Sequence, residues 1–124
     1  MSEGAFRLLN FKEKSNYSVE ELNQIKKDLC ESLRSQLVMT KLSIDIIKRN
    51  CQRTKGNQYL LSKQMMKYFD KEYSPAINKA LNLIEESDDN IMNTINKNKE
   101  DFINFDKCFD KMLDYQSRIS KYLN

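Results

Sequence analysis

The sequence predicts an all-α fold: an elongated helical bundle or coiled coil of about three helices, the C-terminal one long. Three observations carry this. The 124 residues include only 2 Gly and 1 Pro, and they are rich in Lys, Leu and Met, which favour helices over a sheet. A capping box at Ser18 opens one stripe of helical period. A second stripe runs from Ile77 to Leu123 at alternating spacings of four and three, without a slip in register.

Residues 1–17 read as an N-terminal arm. Phe6, Leu8, Leu9, Phe11 and Tyr17 give it apolar content, while Lys12, Glu13, Lys14, Ser15 and Asn16 break any period. So apolar an arm is expected to dock onto a helix or a partner. In Ser18-Val19-Glu20-Glu21 the Ser18 hydroxyl can accept from the Glu21 amide while the Glu21 carboxylate returns to the Ser18 amide. A first helix of about 19–52 follows. Its stripe is Leu22, Ile25, Leu29, Leu33, Leu37, Thr40, Ile44, Ile47 and Cys51, with one stutter near Leu33.

Arg53-Thr54-Lys55-Gly56-Asn57 is the expected turn, since Gly56 can take the positive φ that ends a helix. A shorter helix of about 57–73 carries Tyr59, Met66, Phe69 and Tyr73. Ser74-Pro75 then predicts a break or kink at Ser74, with Ser as cap and Pro in the first helical position. The last helix is expected over 75–123. Glu85–Asn90 is its weakest stretch, but Ile84 and Ile91 keep the register across it, so an uninterrupted helix is expected there rather than a loop. Residues 18–124 would form a single helical coiled-coil domain behind the arm.

The C-terminal seam supplies the candidate partner-binding residues. They are Ile77, Leu81, Ile84, Ile91, Ile95, Asn98, Phe102, Phe105, Phe109, Met112, Ile119 and Leu123. An unbroken helix of this span is about 70 Å long, more than a compact chain of this size can cover by itself. Asp88, Asn98 and Gln116 interrupt the apolar rule. A buried Asn98 could fix register and partner choice, as a polar seam residue does in coiled coils; a solvated one would do neither. Phe102, Phe105 and Phe109 are bulky for a two-stranded coil and suit a wider bundle. They serve either as core or as a partner-facing hot spot.

Catalysis is not expected. The chain has no His, which removes the commonest general base and metal ligand. Cys30, Cys51 and Cys108 are odd in number and widely spaced, so free thiols are expected rather than a metal site or a disulfide. No catalytic, cofactor-binding or metal residue is assigned, and no cofactor is expected. The Glu85–Asp89 run lacks the glycine turn and terminal Glu of a calcium loop. Without a long apolar run, the chain is expected to be intracellular, in cytoplasm or nucleus. Lys48, Arg49, Arg53 and Lys55 form the densest basic cluster and the one candidate anion contact. A net charge of +3 and the lack of interleaved aromatics make nucleic acid or a membrane a poor expectation.

The expected function is that of a non-catalytic coiled-coil subunit of a hetero-oligomeric assembly, binding protein partners by helix–helix packing. Size and helix pattern are analogous to those of short helical subunits in kinetochore, cytoskeletal and organelle-biogenesis complexes. No diagnostic motif stands behind that analogy. A self-sufficient homo-oligomeric adaptor or effector is the alternative, ahead of a nucleic-acid- or membrane-associated factor using the Lys48–Lys55 cluster.

Overall fold

A computed structural model describes residues 17–51, 56–87 and 90–123. These residues are helical throughout most of their length and include no strand, so the all-α expectation holds. Helix α1 spans Val19–Cys51. Its first turn is held as the sequence predicts: the Ser18 amide donates to Glu21 Oε1 at 3.2 Å, and the Glu21 amide donates to Ser18 Oγ at 3.1 Å. The stripe from Leu22 to Ile47 faces inward, with Leu29, Leu33 and Thr40 buried and Ile25 and Leu37 packed at its margin.

Gly56 begins the return. Its φ of 100° lies in the region that side chains disfavour, and its carbonyl accepts the Leu60 amide at 3.1 Å. The next run is continuous from Asn57 to Glu85. It consists of α2 (Asn57–Tyr68), a π-turn (Phe69–Tyr73) and α3 (Ser74–Glu85). Of the break or kink expected at Ser74 the chain shows no break: the irregularity is the π-turn that ends just before Ser74. Two causes converge on the π-turn. Met65, Phe69, Tyr73 and Ile77 are all buried at successive spacings of four, which outruns an α-helix by more than one residue over three turns. Widening one turn returns the stripe to the core. Pro75 also has no amide to donate, and the preceding Ser74 amide bonds to the Phe69 carbonyl, five residues back.

The helix expected over 75–123 is divided twice. It stops at Glu85, and a new helix α4 (Ile91–Lys97) starts only where Asn90 Oδ1 accepts the amides of Met92 and Asn93. Register kept across Glu85–Asn90 does not require a helix: Ile84 and Ile91 are buried in the same core although α3 ends at Glu85 and α4 begins at Ile91. Asn98 makes the second division, with φ −115° and ψ 31°. Its amide and its side-chain Nδ2 both donate to the Thr94 carbonyl, at 3.1 and 2.9 Å. Its own carbonyl accepts the Asp101 and Phe102 amides, which opens α5 (Lys99–Leu123). A 70 Å helix does not form, so the length argument for obligatory external coverage fails.

The runs pack as two antiparallel hairpins that share the Asn57–Glu85 run. Along the first, Lys26 donates to the Ser87 carbonyl at 2.7 Å, Arg34 pairs with Glu85 at 2.6 Å, and Thr40 meets Tyr73. Along the second, Lys79 pairs with Asp101 at 3.0 Å, the Tyr73 ring packs tilted against Phe105, and Tyr68 likewise against Tyr115. In both, partners advance in opposite directions along the sequence. The core lies where α1, the shared run and α4–α5 converge.

Candidate functional site

Most of the sequence-predicted seam is spent inside the molecule. Ile77, Ile84, Ile91, Ile95, Phe102, Phe105, Met112 and Ile119 are buried by the chain's own helices, and Leu81 and Phe109 pack half-buried against them. Phe102 and Phe105 accordingly lie in the core, while Phe109 is half-buried at its edge. Phe105 sits between Tyr73, 5.9 Å away, and Phe109, 6.4 Å away. Asn98 is a helix junction, with its side chain bonded within its own turn. Asp88, the arm up to Asn16 and the Leu123 side chain lie outside the described residues.

The basic cluster is only partly described. Lys48 and Arg49 are exposed in the last turn of α1, while Arg53 and Lys55 lie outside the described residues. Lys48 and Lys41 share a shallow cleft with Asp45 and Asp70, so two carboxylates offset the two ammonium groups there. The cleft around Lys48 is therefore close to neutral. Cys30 and Cys108 are buried free thiols. Burial, reinforced by Glu85, raises the Cys30 pKa and keeps the thiol protonated. Among the described residues no cluster of His, Cys, Asp or Glu is arranged to hold a metal ion, and no helix is long and apolar enough to cross a membrane.

Two surface features remain, and both involve α1. The first is a groove of about 530 Å³ between α1 and α5. Ser32, Ser35, Gln36, Met39 and Ser43 line one wall; Phe109, Leu113 and Gln116 line the other. The small serines let a guest backbone come close, and Met39 and Leu113, 61% and 38% exposed, offer apolar walls. Gln36 Oε1 is buried without a hydrogen-bond partner among the described residues. An acceptor so placed costs about 1–3 kcal/mol until a donor reaches it. Behind it, Thr40 Oγ1 donates to the Gln36 carbonyl at 2.8 Å and lies 3.3 Å from Tyr73 Oη. With the Thr40 proton so committed, Tyr73 is the donor to Thr40, and burial pushes its pKa up to about 12.

The second feature is the outward face of α1. Val38, Leu42 and Ile46 are 56%, 52% and 57% exposed, so large aliphatic side chains follow one another at spacing four on the side away from the core. Sequence reading attends to a single stripe per helix and passed over this one. The signal was present, because Val38-Met39 and Ile46-Ile47 place apolar residues side by side, and adjacent positions on a helix cannot share a face.

Comparisons with protein-family models, with curated proteins and with solved structures find no match to this chain.

Proposed function

We propose that the protein is a non-catalytic subunit of a hetero-oligomeric assembly, which binds an amphipathic helix of another protein in the groove between α1 and α5. The observation that carries this is the groove itself: Met39 lines one wall, Phe109 and Leu113 line the other, and the lining residue Gln36 holds a buried acceptor, Oε1, without a partner among the described residues. A guest helix would add a fourth member to the bundle in coiled-coil fashion. It would cover Met39, Phe109 and Leu113 and bring a Gln, Asn or Lys donor to Gln36. Scaffolding of a multi-protein complex is the role such a slot serves, and the expected setting is intracellular.

The test is purification of the tagged chain from its native cells at moderate salt, followed by native mass spectrometry. Defined heteromeric masses with fixed stoichiometry are expected. They should disappear with Leu113→Asp, a change at an exposed position that leaves the fold intact. Heteromeric masses unaffected by Leu113→Asp would refute the groove, and a mass that is only a multiple of this chain would refute the hetero-oligomeric reading.

A further inference from the structure

We propose that the outward face of α1 binds the same face of a second copy, antiparallel, about a two-fold axis level with position 40. This face borders the groove: Glu31 and Ser35 lie on the edge the two share, while Val38, Leu42, Asp45 and Arg49 stand clear of the groove lining. Six exposed residues define it: Glu31, Ser35, Val38, Leu42, Asp45 and Arg49, at spacings of four, three, four, three and four. That is a seven-residue repeat on the side opposite the core, and its members are placed symmetrically about position 40.

The chemistry is self-complementary in one orientation only. Run antiparallel, Val38 meets Leu42 of the second copy twice, Ser35 can donate to the Asp45 carboxylate, and Glu31 meets Arg49 at each end. Run parallel, the same spacing sets Glu31 against Glu31, Asp45 against Asp45 and Arg49 against Arg49. Opposite charges at both ends and like charges in the alternative fix orientation as well as partner, as two-fold interfaces require. Neither Glu31 nor Arg49 is engaged in an ion pair among the described residues. The ends of the contact lie about 27 Å apart along the helix, so the interface is small and its affinity micromolar.

Sedimentation velocity of the full chain from about 1 to about 200 µM tests this, with circular dichroism to check each variant's fold. A reversible monomer–dimer equilibrium is expected. Glu31→Arg and Arg49→Glu should each weaken it about tenfold, since each change converts two attractions into repulsions. The double swap should recover the wild-type constant, and Leu42→Asp should abolish the dimer. A monomer at every concentration overturns the proposal. So does a dimer that survives Leu42→Asp, or single reversals that the double swap does not rescue. Binding to phosphatidylserine vesicles that Leu42→Asp abolishes, without dimers, would assign the face to a membrane and overturn it as well.

Discussion

Replacing Phe105 by Ala probes whether the C-terminal seam is a closed internal core. Phe105 is fully buried, with the Tyr73 ring 5.9 Å and the Phe109 ring 6.4 Å from its own. Truncating a buried Phe costs about 3–5 kcal/mol through lost transfer energy and the cavity left behind. Two aromatic neighbours, each worth about 0.5–1.5 kcal/mol beyond buried area, place this site in the upper half of that range. A loss of about 4 kcal/mol is expected. With a guanidinium slope of roughly 4 kcal/mol per molar, the unfolding midpoint should fall by about 1 M. The assay is guanidinium unfolding of the purified chain, followed by helical circular dichroism. Phe109→Ala serves as the control, half-buried and expected to lose about half as much. A loss below about 1.5 kcal/mol for Phe105→Ala would refute the central placement. The absence of any cooperative transition in the wild type would refute more, because the seam would then need a partner to close it.

Two further effects follow from the backbone and the core. Gly56→Ala should destabilise by about 1–2 kcal/mol purely through its φ of 100°, since nothing lies within 4 Å of an added Cβ; an unchanged melting temperature would contradict the turn. Tyr73 is raised from 10 to about 12 in the folded state, so its neutral form is the one the fold favours. The associated stability is present in full below pH 10 and is lost as pH rises from 10 toward about 12, by on the order of 2 kcal/mol. Tyr73→Phe should flatten the stability–pH curve in that window, and a curve of unchanged slope would refute the buried phenol.

Helix type, the capping box, the Gly56 turn and the inward stripe of α1 were all legible because each is a local or strictly periodic signal. The helix ends were not. A seven-residue interval between Ile84 and Ile91 is the same whether the chain continues helically or turns, and only Asn90 accepting two amides distinguishes the cases. At Asn98 the sequence offered the correct residue and the wrong job. An Asn at a seam position reads as a cross-helix polar contact, yet its shorter route is back to the Thr94 carbonyl one turn away. Pro75 misled in the other direction, since its missing amide was absorbed by a wide turn that the 4-4-4 spacing of Met65, Phe69, Tyr73 and Ile77 already demanded. The groove was beyond sequence reading altogether, because it is set by the divergence of two helices that are far apart in the chain.

The arrangement of two hairpins on a shared run also bears on how the chain reaches its fold. Each hairpin joins runs that are neighbours in sequence, one pair meeting at Gly56 and the other between the end of α3 at Glu85 and the start of α4 at Ile91. Loop closure over such short intervals costs little entropy, and helical proteins dominated by near-sequence contacts fold in microseconds to milliseconds. The Asn57–Glu85 run is the common template, and either flank can zip onto it without waiting for the other. α1 holds to the remainder mainly through that run and α4, so it is also the segment that can detach while the second hairpin stays closed. The same topology thereby leaves the order of assembly open while giving opening a natural first step, the release of α1.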